Sequence, residues 1–391
     1  MKKVFISGAV RTPIGSLGGA LSKVTAIELG KVVVQESLQR AGVQAADIEE
    51  VIIGNVLQAG LGQNPARQIA VACGVPIEVP SFTVNQVCGS GLKAIDLAFR
   101  SVLLGEAEAV VAGGVESMSG APYILPALRQ GARMGETAAL DSAVHDGLMD
   151  VFGNYHMGIT AENIADKYNI SREDQDHFAA ESQRRCAVAV QSGIFNAEIV
   201  PVVFQERRKN VLVDLDEHPK PGSTFEVLST KLRPAFKADG SVTAGNASGI
   251  NDGAASVVVG ATGMFADKSQ CVRVRDIVCV GCASEFMGMG PVGAVHKLLK
   301  RQGMDIGDID LWEMNEAFAA QAIAVIDELA LDPLKVNVNG GAIALGHPIG
   351  ASGARIVVTL IHQMKRQQAA LGVASLCVGG GMGLAILLEN V

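Results

Sequence analysis

Cys88 lies in the run Val84-Asn85-Gln86-Val87-Cys88-Gly89-Ser90-Gly91-Leu92-Lys93, and two partners answer it near the other end of the chain. One is His347, in Gly346-His347-Pro348-Ile349-Gly350; the other is Cys377, followed by Val378-Gly379-Gly380-Gly381. Each reactive side chain is set in glycine-dense, charge-poor sequence, where a backbone can approach a bound molecule closely. Two cysteines and a histidine suit a division of labour in which one thiolate carries an acyl group and the other moves a proton. That combination points to carbon–carbon bond chemistry on thioesters.

Each residue also has a plainer reading. A free cysteine is usually a small buried hydrophobe. For Cys88 the Gly89-Ser90-Gly91 run argues against this, because a packed core does not need such exposed backbone. Its place just before a helix supplies unpaired N–H groups and a dipole that favour thiolate and can bind an oxyanion. His347 could be a core imidazole, but its glycine and proline neighbours put it on a tight loop before a helix, as base for a thiol or donor to a carbonyl oxygen. Cys377 ends a buried strand, and the glycines after it are not a phosphate loop, since no Gly-Lys-Ser/Thr follows. Asn315, with Glu316, stands at a strand end among apolar neighbours, suited to fix a water or a carbonyl or to cap the next helix. Cys279 and Cys282 form a CxxC without a second pair at zinc spacing; with Cys271, Cys73 and Cys186 they read as packing.

The elements that must position these residues come in two copies. Leu38-Gln39-Arg40-Ala41-Gly42, then Asp47-Ile48, is echoed by Leu299-Lys300-Arg301-Gln302-Gly303, then Asp308-Ile309, 261 positions later. Each copy reads as a helix, a glycine stop and a strand. Ser90-Gly91 and Ser352-Gly353 each open an amphipathic helix, with Leu92, Ile95, Phe99 and Val102 on one face of the first and Ile356, Val357, Leu360 and Met364 on one face of the second. A strand ending in glycines closes each copy, at Ala109–Gly114 and Ser375–Gly380. The order predicts two similar α/β halves with mostly parallel sheets. Between them the texture changes: Ser171-Arg172-Glu173-Asp174 is a capping box, Gly193 a stop, and Pro219, Pro221 and Gly222 a loop. This segment reads as an insertion over the core, after which Ala254–Val259 should rejoin the first sheet. The expected boundaries are 1–118 with 249–267 for the first half, 119–248 for the insertion and 268–391 for the second half.

At 391 residues, 49% hydrophobic but only 4% aromatic, with 45 glycines, the chain can bury large aliphatic, tightly turned cores. A formal charge of −8 argues against nucleic-acid binding. Seven scattered cysteines suit a reducing compartment, and no apolar run of ~18 residues predicts a membrane span. The expectation is a soluble, cytoplasmic protein without metal.

Together the Cys88 run, Asn315-Glu316-Ala317-Phe318, Gly346-His347-Pro348, the Cys377 run and Arg11-Thr12-Pro13-Ile14-Gly15 resemble the thiolases, over essentially the whole chain. The resemblance implies duplicated α/β halves with an inserted loop domain, layered α-β-α-β-α. It implies reversible condensation of two acetyl-CoA to acetoacetyl-CoA and free CoA, by ping-pong Claisen chemistry through acetyl-Cys88. His347 would activate Cys88 and, with an Asn315-held water, stabilise the enolate; Cys377 would remove the α-proton. Backbone N–H groups of Cys88 and Gly379 would form the oxyanion hole. Tyr155–Asn163 resembles the biosynthetic, short-chain branch, with Leu148, His156 and Met157 on the pantetheine and acyl pocket and Met157 and Phe318 narrowing it. Arg233-Pro234-Ala235-Phe236 and Ala244–Ser248 resemble the coenzyme A contacts, giving Phe236, Ala244, Ser248 and Ala317, with Lys220 either on the phosphates or a solvated loop charge. Coenzyme A is then substrate and product with no further cofactor, the assembly a homotetramer, and the stretch 120–145 its assembly loop.

The nearest rival is a degradative 3-ketoacyl-CoA thiolase, which shares the mechanism. A β-ketoacyl synthase would carry His where Cys377 stands, and a cysteine hydrolase has no use for Cys377. A non-catalytic acyl-CoA or lipid carrier should have lost one of Cys88, His347 and Cys377, and all three are present.

Overall fold

The computed structural model describes residues 2–391. Nine strands carry the core sheet: β1 (Val4–Arg11), β2 (Glu50–Gly54), β3 (Ser81–Val84), β4 (Ala109–Ser117), β5 (Asn251–Ala261), β6 (Val272–Gly281), β7 (Leu311–Met314), β8 (Leu371–Val378) and β9 (Met382–Asn390). They run in the order β7-β8-β9-β6-β1-β5-β4-β2-β3, with the short strand Gly15–Ser16 paired to the start of β5. The helices that matter here are α1 (Ala26–Ala41), α2 (Pro65–Ala72), α3 (Ser90–Leu104), α4 (Met157–Tyr168), α5 (Arg172–Gln191), α6 (Phe225–Lys231), α7 (Gly290–Gln302), α8 (Ala319–Glu328) and α9 (Ile349–Gln367).

The apolar clusters define five layers. α1 and α2 bury Leu29, Val33, Ile69 and Ala70 against Val51, Ile53, Val111 and Val258 of the first half-sheet. α3 and α9 lie between the half-sheets, burying Ile95, Val102, Ile356 and Leu360 with Ile52 and Val257 on one side and Leu376 and Ile386 on the other. α7 and α8 cover the outer face of the second half, packing Leu298 and Val325 on Trp312 and Leu387. Covered on both faces, β5 is buried at every residue, which is why it reads as a near-continuous apolar run.

The internal repeat is visible in the folded chain. α1 and α7 both end on a left-handed glycine, Gly42 at φ 66° and Gly303 at φ 65°. Val43 N–H reaches Leu38 O at 3.1 Å and Met304 N–H reaches Leu299 O at 3.0 Å, the same Schellman closure twice. Each is followed by a short 3-10 turn and a strand, β2 or β7.

Three expectations need correction. The core sheet is mixed: only β2–β3, β2–β4 and β7–β8 are parallel. β9 returns antiparallel to β8 after a tight turn, and β1 lies antiparallel between β5 and β6, connections that a count of alternating strands and helices does not reveal. Ser352 does not open its helix, because α9 begins at Ile349. β4 does not end at its glycines but runs through them to Ser117. A Cβ on Gly114 would stand 2.2 Å from Gly350 O, so that position lets the start of α9 meet the strand directly. The segment between β4 and β5 folds over the sheet ends as α4, α5, α6 and an antiparallel hairpin, Val202–Glu206 with Lys209–Val213. Its α5 carries the expected capping box on Ser171 and Asp174.

Candidate active site

Cys88 is presented by a strained elbow between β3 and α3. Val87 has φ 46°, a left-handed conformation that is costly for a β-branched residue, of order 1–3 kcal/mol. Ser90 holds it there: its hydroxyl donates to Val87 O at 2.7 Å and accepts Gln86 N–H at 2.8 Å. The neighbouring glycines have another reason to be present. A Cβ on Gly91 would stand 2.7 Å from Ala354 N, and one on Gly353 would stand 2.5 Å from Leu92 N. The two Ser-Gly echoes are therefore where α3 and α9 touch, and Gly91 serves packing rather than exposed backbone.

His347 sits on the loop before α9, fixed from three sides. Gly346 at φ 104° makes the turn, and Asn251 Oδ1 accepts His347 N–H at 2.8 Å. The ring Nδ1 lies 2.5 Å from Ser352 Oγ, whose hydroxyl donates to Pro348 O at 2.9 Å. With that hydroxyl proton committed, Nδ1 carries the ring proton and Nε2 is left as the basic nitrogen. Nε2 lies 3.5 Å from Asn315 Nδ2, and the buried Asn315 Oδ1 accepts no hydrogen bond among the described residues. Asn315 does not cap α8; that place belongs to Phe318.

Cys377 is the penultimate residue of β8, fully buried from solvent yet on the same cavity wall as Cys88 and His347. The turn that follows returns the chain into β9 through Gly380 and Gly381, both at positive φ. Gly379 is on the same cavity wall, where its backbone N–H favours a thiolate at Cys88.

These groups line one cavity of about 490 Å³, a size ordinary for a small-molecule site. Leu148, His156, Met157, Phe236, Ala317 and Phe318 are on its wall, as are Lys220, Ala244 and Ser248. Ser248 N–H donates to Ala317 O at 2.9 Å, and Ala247 bridges to Phe318, which ties the inserted segment to the loop after β7. His156 stacks on Phe236 with ring centroids 4.6 Å apart, and Phe236 meets Phe318 edge-on at 6.2 Å. Exposed Lys220 and Ala244 mark the open end, while buried Met157, Phe318 and Cys377 mark the closed one. Every site residue named from the sequence lines this cavity except Asn315, whose amide lies 3.5 Å from His347 Nε2; Arg233 and Pro234 of the quoted motif also lie off it.

Several residues escaped sequence reasoning. Met118, Met287, Ile349 and His218 also line the cavity. Glu116, wholly buried, accepts Asn55 Nδ2 at 2.7 Å, Val56 N–H and Leu57 N–H at 3.1 Å, and Gly350 N–H at 2.9 Å, joining the two halves beneath the site. One charge in the glycine-rich apolar run of β4 was the available signal. Cys279, assigned to packing, accepts Gln86 Nε2 at 3.2 Å, two residues from Cys88.

Burial governs the electrostatics. It pushes the Cys88 thiol up to about 11, against the Gly379 N–H that favours thiolate. The Cys377 thiol is pushed higher still by burial and then by the neighbouring Cys88 sulfur. Burial, with the Arg355 charge adding to it, lowers His347 to about 3. The thiolate expected from the helix N-terminus is thus not the resting form, because desolvation outweighs the dipole; the site rests as two thiols and a neutral imidazole.

Known proteins match along the full length. The family description "Thiolase, N-terminal domain" matches residues 4–262 and "Thiolase, C-terminal domain" residues 268–390. An acetyl-CoA acetyltransferase of Escherichia coli is 52% identical over 394 residues, covering 100% of both chains. One of Chromobacterium violaceum is 52% identical over 392 residues, covering 99% of this chain and 100% of the relative. The crystal structure of the Bacillus anthracis acetyl-CoA acetyltransferase superposes with a TM-score of 0.97 at 45% identity, covering 100% of this chain and 99% of that one.

Proposed function

The chain belongs to the thiolase family of acyltransferases, and from that membership we propose that it condenses two acetyl-CoA reversibly to acetoacetyl-CoA and CoA. The observation that carries this reading is the one cavity shared by Cys88, His347, Cys377 and Gly379.

The resting protonation dictates an order of steps. A neutral thiol attacks a thioester only as it loses its proton, and His347 Nε2 is the basic nitrogen on hand. The tetrahedral oxyanion is met by the N–H groups of Cys88 and Gly379, as the CoA thiolate leaves. That thiolate takes the proton of Cys377, so the acetyl-enzyme carries imidazolium at 347 and thiolate at 377. The Cys377 thiolate then removes the α-proton of the second acetyl-CoA. His347, with Asn315 beside it, supports the enolate oxygen. Attack of the enolate carbon on acetyl-Cys88 expels the Cys88 thiolate, which recovers its proton from His347, and every group returns to its starting form.

Met157, Phe318 and Met287 close the buried end of the cavity, which supports a short acyl group. His156, Phe236, Ser248, Leu148, Ala244 and Ala317 form the wall for pantetheine, and Lys220 at the open end faces the CoA phosphates. On this reading residues 1–118 with 249–267 carry the nucleophile, 119–248 the CoA wall, and 268–391 the base pair. Tyr123 and Met134, 68% and 96% exposed, support 120–145 as the tetramer contact. Seven unpaired thiols among the described residues support a reducing cytoplasm.

The deciding experiment is CoA-dependent thiolysis of a 3-ketoacyl-CoA series from four carbons upward. Activity confined to acetoacetyl-CoA is the expected result. A kcat/KM that holds or rises with chain length would place the protein with the degradative thiolases, and no turnover on any member would overturn the catalytic reading.

A further inference from the structure

A second cleft, of about 400 Å³, opens at the seam between the halves, where the start of β1 pairs with β6. Its cations come from four separate elements: Lys2 and Lys3 before β1, Arg100 on α3, Arg273 and Arg275 on β6, and Arg301 on α7. It is remote from the thiols, since ten residues of α3, about 15 Å, separate Ser90 from Arg100.

The carboxylates nearby leave this group under-neutralised. Glu389 alone serves both Arg273, at 2.9 Å, and Arg275, at 3.1 Å. Asp96 is shared by Arg100 and Lys93, each at 2.7 Å. Asp276 pairs with Arg301 at 2.9 Å, Glu108 with Lys2, and Lys3 has no ion pair among the described residues. Two guanidinium groups come together on Glu389 because Arg275 is the extra residue of a bulge in β6: Val274 pairs with Leu388 and Asp276 with Leu387. Arg273 Nε is shut off from solvent and donates to nothing among the described residues. In a chain of net charge −8, such a focus of positive charge in a concave seam is electrostatically costly unless an anion shares it.

We propose that this cleft is an anion site that takes a small ligand bearing two or more phosphates. Planar guanidinium groups suit bidentate phosphate contacts, and the volume lies within the ~300–1,000 Å³ usual for small-molecule sites. A ligand there touches β1 and α3 of one half and β6 and α7 of the other, so it stiffens the seam on which the Cys88 and His347 sides meet.

The test is titration calorimetry on the full-length enzyme with ADP and with inorganic pyrophosphate. The expected result is saturable binding of one ligand per chain. Affinity should fall at least ~10-fold in the Arg273→Gln/Arg275→Gln double variant, with thiolysis unchanged when the ligand is absent. If that variant fails to fold, Arg301→Gln with Lys3→Gln serves, since neither touches Glu389. Binding of ADP but not pyrophosphate identifies a nucleotide as the ligand; binding of both identifies the diphosphate group. No saturation at ~1 mM ligand or unchanged affinity in the variants overturns the proposal.

Discussion

The hydroxyl of Ser352 lies 2.5 Å from His347 Nδ1 and is itself held by Pro348 O. A residue on the first turn of α9 thereby sets the tautomer that leaves Nε2, 3.5 Å from Asn315 Nδ2, as the basic nitrogen. Replacing Ser352 with Ala frees the ring to rotate and to change tautomer. The expected cost is about 10²-fold in kcat with KM little changed, read by steady-state thiolysis. An unchanged kcat would show that Asn251 and Gly346 orient the loop without the hydroxyl.

The two thiols should separate by half-reaction. Cys88→Ala should abolish transfer of labelled acetyl from acetyl-CoA to the protein. Cys377→Ser should slow α-proton exchange into deuterium by ~10²–10⁴-fold and acylation much less, because a departing CoA thiolate of ordinary pKa, about 8.5, can take its proton from water. Equal loss in both half-reactions would assign Cys377 a packing role.

His347 is held neutral by burial, lowered to about 3. Between that value and ~6.5 the unfolded chain binds a proton that the folded chain does not, so stability falls as pH falls through this window. At pH 5 the loss relative to pH 7 is up to ~2 kcal/mol from this residue. His347→Asn removes it, so the thermal midpoint of the variant should drop less between pH 7 and pH 5 than that of the wild type. Parallel shifts in the two proteins would contradict the burial argument.

A methyl group on Gly379 would stand 2.8 Å from Met157 Cε and 3.3 Å from Val87 Cγ1. Gly379→Ala should therefore push the N–H away from the Cys88 sulfur and lower kcat about 10²–10³-fold. Adding Met157→Ala makes room for the methyl and should recover part of the loss. No recovery would trace the defect to the backbone of the turn itself.

Gly353→Ala tests the α3–α9 contact, since its Cβ would stand 2.5 Å from Leu92 N. Overpacking there should destabilise by at least ~1–3 kcal/mol, measured as a lowered denaturation midpoint. A variant as stable as the wild type would mean that the two helices can separate freely.

Much of this was legible along the chain because it is local. Gly42 and Gly303 stop their helices by backbone conformation alone, and the capping box at Ser171 needs only the next three residues. Cys88, His347 and Cys377 announce themselves through glycine-rich surroundings, whereas the cavity residues from Leu148 to Phe318 are reached only through the resemblance to the thiolases. Strand direction is different: β5 and β9 run antiparallel to their neighbours because of where the insertion and the last turn return the chain, and no local pattern encodes that. Glu116 and Asn251 act through partners 234 and 96 positions away, so their roles exist only once the halves close. The sign of the Cys88 shift likewise belongs to the tertiary structure. Helix dipole and sequence neighbours favour thiolate, but the desolvation that prevails comes from side chains which only the closed fold brings around the sulfur.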